Sequence, residues 1–373
     1  MKDHQSTWTE AIHELGPAFA ERAAAHDAEG SFVGRNYEDL KAARVFSAAI
    51  PEELGGGGAT HGEVCEMLRT LAHYCPSTAL SVSMHSHLVA AAVWKYRHGK
   101  PGEALLRKVA DGQLVLLSTG AGDWVASTGR ADRVEGGFRV SAKKRFGSGG
   151  PAADIAITSA PYEDPDRGRR VLHFPVPLRA EGVRFESDWD TLGMRATGSN
   201  TLVFDGVFVP DEAVALDRPA SEWPAALSVV ITVAPPLYMA PYVGIAEKAA
   251  EIARDSVRAK DEPGHLITVI GQIDNALTIA QMAYREMIEG AANYDFAPEL
   301  DRANRALIRK TLTAQAGKEV LERAVEATGG AAFFRRHPLE RMWRDIQASA
   351  FHPLPEKRQL EFSGRVALGR SPV

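Results

Sequence analysis

Apolar positions in residues 1–112 recur every three or four places. Trp8, Ile12, Leu15, Phe19 and Ala23 make one such stripe, the buried face of an amphipathic helix. The run Ile50-Pro51-Glu52-Glu53-Leu54, followed by Gly55 to Gly58, interrupts it. Proline fixes its own backbone and consecutive glycines favour a loop. Helical spacing resumes over 61–74 with Val64, Met67, Leu68 and Leu71. Residues 77–96 predict a more apolar helix that carries Ser83-Met84-His85-Ser86-His87. A short helix over 103–110 follows Lys100-Pro101-Gly102.

The period changes near residue 113. Leu114-Val115-Leu116-Leu117 predicts a buried strand that leads into Ser118-Thr119-Gly120-Ala121-Gly122. Alternation over 138–146 after Glu135-Gly136-Gly137 predicts a hairpin. Further strands are predicted over 153–160, 171–176 and 201–210. From about residue 240 the helical period returns, with Val243, Ala246, Ala250, Ala253 and Val257 on one face. Two more helices are predicted over 266–291 and 304–328, the second ended by Gly329. The division expected is 1–112 helical, 113–216 β and 217–373 helical, an α+β fold.

Residues 224–246 carry no charge and nearly reach the length of a membrane span. Pro235, Pro236 and Pro241 lie inside them and are expected to interrupt any continuous helix. The stretch therefore reads as a buried core segment, with no membrane partner.

Charge and cysteines add exclusions. The net charge is -5, which offers no basic footprint for nucleic acid. Cys65 and Cys75 are the two cysteines and lack metal-ligand spacing, so neither a disulfide framework nor a metal site is expected. The first residues are polar and lack the apolar core of a signal peptide. A cytoplasmic location is expected.

Several motifs, in order, resemble the acyl-CoA dehydrogenase superfamily of flavoproteins. They are Ile50-Pro51-Glu52-Glu53-Leu54-Gly55-Gly56, then Asp190-Thr191-Leu192-Gly193-Met194-Arg195-Ala196-Thr197-Gly198-Ser199 with Phe204-Asp205-Gly206-Val207-Phe208-Val209-Pro210. Gly329-Gly330, Pro338-Leu339-Glu340-Arg341 and Arg344-Asp345 complete the set. The resemblance implies a helical N-terminal domain, a central β-barrel domain and a C-terminal four-helix bundle. It implies a flavin between the β domain and the bundle, completed by a neighbouring subunit of a homodimer or homotetramer. Ser118, Thr119 and Gly120 resemble the first flavin loop. Phe146 and Ser148 stand where the dehydrogenases carry a Trp-Ile-Thr-Asn run, in a version similar to the superfamily's flavin monooxygenases. Thr197 and Ser199 form a polar turn expected to contact the flavin, Gly329 and Gly330 are expected to approach its adenosine end, and Arg195 reads as structural.

The residues also depart from the dehydrogenases. Those enzymes need a carboxylate to take the α proton of an acyl thioester. The usual position, eight residues beyond Asp345, is Pro353. The rarer one, ten residues before Gly244, is Ala234. Glu356, three residues beyond Pro353, is the carboxylate that could stand in. Histidines are the remaining proton carriers: His352 beside the vacant position, and His85 and His87 on the helix that faces the active site in the family. Residues 258–266 lack the Arg-x-x-Phe-Gly pattern that holds FAD, which tilts the flavin towards FMN, although Arg258 and Lys260 remain to meet a phosphate. The reading that follows is a two-component monooxygenase, with a separate flavin reductase as partner and a small organic molecule as substrate. An acyl-CoA dehydrogenase with a displaced base, and a catalytically silent flavin- or ligand-binding homologue, are the alternatives.

Overall fold

In the computed structural model, residues 4–119, 125–262 and 264–372 are described. The N-terminal part is helical: α1 (His4–Glu29), α2 (Gly34–Ala42), α3 (His61–Tyr74), α4 (Pro76–Arg97) and α5 (Glu103–Gly112). The glycine loop delivers the chain to a capped start of α3. Thr60 Oγ1 accepts from the Glu63 N–H at 3.2 Å, and the Thr60 N–H donates to Glu63 Oε2 at 2.6 Å. This reciprocal cap satisfies two of the orphan donors of a helix start.

Eight strands follow: β1 (Leu116–Ser118), β2 (Arg130–Val134), β3 (Gly137–Lys144), β4 (Ile155–Asp164), β5 (Gly168–Pro177), β6 (Val183–Phe185), β7 (Leu202–Pro210) and β8 (Leu216–Pro219). Among the described residues they form two open four-stranded sheets, β1-β4-β5-β8 and β2-β3-β7-β6. The expected closed barrel is therefore corrected. β1 and β8 at one pair of edges, and β6 at another, are three or four residues long, too short to carry a ladder round to the other sheet. β1 runs parallel to β4 and the other pairs are antiparallel. The β2–β3 turn is Glu135-Gly136, and Gly136 has φ +72°. Side chains between the sheets, including Phe138, Phe174, Leu202 and Phe204, make their own core.

The C-terminal part opens with α6 (Ala225–Arg258), α7 (Leu266–Gly290) and α8 (Leu300–Thr328). The predicted break in the proline-rich stretch is absent, since Pro235, Pro236 and Pro241 lie inside α6. Proline costs an isolated helix about 3 kcal/mol. Here burial on all sides offsets that cost, because α6 packs against α3, α4, α7 and α8. His61 Nε2 also donates to Val233 O at 2.9 Å, beside the prolines. α6 is long and apolar enough to cross a membrane, but 94% of its most apolar window is buried inside the protein. It is a core helix.

The expected fourth bundle helix is broken in two. α9 (Pro338–Ile346) and α10 (Glu356–Ala367) both pack on α8. Between them a tight turn over Gln347–Phe351 leads to extended backbone at His352. One apolar core runs from α1 through α6 to α9, so the helices before and after the sheets bury one another. Cys65 and Cys75 are free and buried.

Candidate active site

The family motifs dock on each other to build one wall. Asp345 Oδ1 accepts from the Met194 N–H at 2.5 Å. Arg344 donates to both carboxylate oxygens of Asp27, to Glu340 and to Leu192 O. The two chains meet so closely that a Cβ on Gly193 would lie 2.3 Å from Arg344 O, which only glycine avoids. Arg195 is structural, as its residue type suggested: it donates to Asp27 O, Asp190 and Thr191 O.

Behind this wall lies a cavity of about 770 Å³ between α4, α6, β1, β4, β5 and the broken helix. His87, Ser118, Thr119, Phe146, Ser148, Thr197, Ser199 and His352 all line it. Ala234 and Pro353 line it too, and no carboxylate does among the described residues. Asp345 is buried away from the cavity, and burial pushes its carboxyl up to about 6. Glu356 begins α10 and is not in the lining.

Three expected residues lie elsewhere. His85 is 2% exposed and both ring nitrogens are taken. Nε2–H donates to Phe46 O at 2.8 Å, and Nδ1 accepts from the Leu116 N–H at 2.9 Å. It ties α4 to β1 and has no nitrogen left for chemistry, which corrects its expected catalytic role. Residues two apart on a helix face different ways, and it is His87 that faces the cavity. Gly329 and Gly330 sit exposed at the end of α8, outside the cavity. Gly120 lies outside the described residues. Arg258 is paired with Asp255 on the surface, and Lys260 caps Ala327 O at 3.2 Å.

His352 is held from three sides. Tyr238 stacks on its ring at 4.9 Å and donates to Pro353 O at 2.8 Å. Lys310 donates to Leu354 O at 2.8 Å, and burial lowers the Lys310 ammonium to about 8. Tyr242 Oη lies 2.7 Å from His352 Nε2. If the phenol donates, both partners are satisfied; the reverse leaves a buried phenol proton unpaired. His352 therefore carries its proton on Nδ1. Burial, then Lys310, then His87 push its pKa down to about 3. The ring keeps some accessible surface because it faces the cavity, while protein packed behind it makes a charge costly.

His87 is complementary. Its Nδ1–H donates to Ser83 O at 3.3 Å, which leaves Nε2 as an acceptor. Burial lowers its pKa to about 4. At neutral pH the cavity thus holds one neutral imidazole with a free N–H and another with a free lone pair.

The hydroxyls form a directed chain. Thr197 Oγ1 donates to Met194 O at 2.9 Å. Its one proton is then spent, so Ser199 donates to Thr197 at 2.6 Å and Ser148 donates to Ser199 at 2.7 Å. Ser148 is left presenting lone pairs to the cavity. Thr119 likewise spends its proton on Thr158 at 2.7 Å. The aromatic rings of Phe146 and Trp189 meet edge-on at 6.0 Å in the lining.

A flavin ring asks for aromatic or apolar faces and for polar groups at its edge. Ser118, Thr119 and Ser148 would supply the polar edge, and Phe146 and Trp189 the faces, so the residues present fit the group. Sequence reading missed Tyr238, Tyr242, Trp189 and His173. The i,i+4 spacing of the two tyrosines was visible, but in an apolar stretch it read as core.

Comparison with known proteins follows the same lines. Family models for the acyl-CoA dehydrogenase N-terminal, middle and C-terminal domains match residues 3–113, 120–207 and 237–355. The amino sugar nitrososynthase DnmZ of Streptomyces peucetius is 28% identical over 371 residues, covering 95% of this chain and 91% of that protein. The dibenzothiophene monooxygenase of Mycolicibacterium goodii is 26% identical over 398 residues, covering 98% and 94%. The solved structure of KijD3 in complex with FMN and dTDP-3-amino-2,3,6-trideoxy-4-keto-3-methyl-D-glucose superposes with a TM-score of 0.90 at 24% identity, covering 99% of this chain and 95% of that one. With all three of its domains matched in order along one chain, and with the two signature motifs locked together at Met194 and Asp345, this protein belongs to the acyl-CoA dehydrogenase superfamily.

Proposed function

We propose that this chain is a flavin-dependent monooxygenase that takes reduced flavin, FMN in preference to FAD, from a separate reductase. With oxygen it oxidises a small, largely apolar organic molecule. The observation that carries this reading is the occupancy of the two glutamate positions. Ala234 and Pro353 both line the cavity, and two neutral histidines line it where no carboxylate does among the described residues. Bound flavin supplies the activation of oxygen. His87 Nε2 accepts a proton or a hydrogen bond, His352 Nδ1–H donates a hydrogen bond, and the mainly apolar lining excludes water. Glu356, outside the lining, does not favour a displaced dehydrogenase base.

Relatives named as monooxygenases support the same reading, as does the FMN in the KijD3 complex. The homo-oligomer belongs to the proposal too. Leu192, Trp343 and Phe351 line the cavity yet are 59%, 39% and 66% exposed. A second copy covering this rim would bury them.

The directed hydroxyl chain gives a test of the flavin site. Reduction adds an N–H to the flavin ring, and Ser148 presents the acceptor it needs. Reduced FMN is expected to bind more tightly than oxidised FMN, so the midpoint potential of bound FMN rises relative to free FMN. A tenfold difference in affinity corresponds to about 30 mV. Thr197→Val removes the anchor that fixes the direction of the chain and is expected to cancel much of the rise. Equal affinity of the wild-type protein for both redox forms would contradict the site.

A further inference from the structure

We propose that His173 is a specificity residue whose Nδ1–H donates a hydrogen bond to an acceptor atom on the substrate. The proposal rests on the reading of the cavity as an oxygenation site for a small organic molecule.

His173 lies in the middle of β5, opposite Ser159 of β4 and Leu216 of β8. Its neighbours Leu172 and Phe174 are buried in the sheet core. Strand side chains alternate, so His173 points the other way, and it lines the cavity with Ser159. It is a polar residue in an otherwise apolar run, Val171-Leu172-His173-Phe174.

Arg218 fixes which nitrogen carries the proton. Arg218 Nε–H donates to His173 Nε2 at 3.0 Å. The guanidinium is itself held by Val125 O at 2.5 Å and Pro219 O at 3.3 Å. Arginine stays protonated and can only donate, so Nε2 must offer its lone pair. The proton of the neutral ring is then on Nδ1. A second proton on Nε2 would set two N–H groups against each other. Burial opposes that charge, and so do Arg218 on β8, Lys95 on α4 and Lys144 on β3, holding the pKa down to about 3.

Among the described residues Nδ1 has no hydrogen-bond partner. The hydroxyls Thr119 and Ser148 spend their protons on protein groups. Two ring N–H donors in the cavity are fixed by the partner on the other ring nitrogen: His352 Nδ1–H beside the broken helix, and His173 Nδ1–H at the sheet. The lining between them includes Leu80, Met84, Leu88, Leu227, Val230 and Ile231. The ligand class that matches is an apolar body carrying one acceptor heteroatom, such as a ring nitrogen or a carbonyl or sulfoxide oxygen.

Quinoline and naphthalene share a shape and differ in one ring nitrogen. Their binding to the flavin-free protein, followed by calorimetry, tests the donor without any turnover. Wild-type protein is expected to prefer quinoline by about fivefold, the worth of one ordinary hydrogen bond. His173→Phe is expected to abolish the preference and leave naphthalene binding unchanged. His173→Asn, whose amide N–H takes the place of Nδ1–H, is expected to retain it. A preference that survives in a folded His173→Phe variant, or none in the wild type, overturns the proposal. Failure of both probes to bind overturns the reading of the cavity as well. Tautomer-sensitive ¹⁵N NMR of the wild-type protein is independent of how the variants fold. It is expected to show His173 neutral and protonated at Nδ1, and protonation at Nε2 would overturn the assignment.

Discussion

Replacing His352 with alanine is expected to lower product formation by about 10²-fold or more, the usual worth of a preorganised hydrogen-bond donor at a reacting centre. FMN affinity should change little, because the polar edge proposed for the flavin is built from Ser118, Thr119 and Ser148, which line the cavity. Oxygen should still be consumed and appear as hydrogen peroxide, since the cavity keeps its cofactor and loses a hydrogen-bond donor. Tyr242→Phe is expected to have a smaller effect in the same direction. It removes the hydroxyl 2.7 Å from Nε2, so the ring is no longer held with its proton on Nδ1. Both histidines stay neutral well below pH 6, His352 down to about 3 and His87 to about 4. The wild-type rate should therefore not follow a histidine titration between pH 6 and 8. A His352→Ala protein that forms product at the unmodified rate would remove this residue from the mechanism.

The second large effect is on stability in acid. His61, His85 and His87 are buried, and burial lowers each to about 4. In the unfolded chain each titrates near 6.5. Between about pH 6 and 4 the unfolded chain therefore holds three protons at these sites that the folded protein does not. Asp345 acts oppositely. Raised to about 6, it takes up a proton in the folded protein over the same range. Three minus one leaves a net two protons at these four sites, so the stability they contribute is present above pH 6.5 and falls by roughly 3 kcal/mol per pH unit as the pH drops towards 4, and His173 and His352, lowered to about 3, add to the fall in the same direction. Urea unfolding at a series of pH values checks this. A midpoint independent of pH from 6.5 to 4.5 would show that the three imidazoles reach solvent.

These consequences depend on features that were visible in the sequence to different degrees. The module order and most strands were legible because their apolar periods are long. β2, β6 and β8 were not, because edge strands are short and half exposed and so carry little alternation. The proline break was a misreading of local chemistry. Pro235, Pro236 and Pro241 stay helical because α6 is buried by four other helices, a tertiary effect that no local pattern carries. The two empty glutamate positions, Ala234 and Pro353, were found by counting along the chain, and both line the cavity. The choice between His85 and His87 was not open to counting. It turned on Phe46 O and Leu116 N–H, which lie 39 and 31 residues away and claim both nitrogens of His85. His173 escaped notice because its meaning comes from Arg218, a partner 45 residues on.

The central claim is that the cavity transfers an oxygen atom and does not desaturate a thioester. Its most direct test supplies reduced FMN and ¹⁸O₂ to the protein with a panel of aromatic heterocycles, followed by mass analysis of the products. One ¹⁸O atom per oxidised product molecule is predicted, with no bleaching of the oxidised holoprotein by acyl-CoA thioesters under anaerobic conditions. Rapid anaerobic bleaching by an acyl-CoA, with no ¹⁸O in any product, would contradict the account.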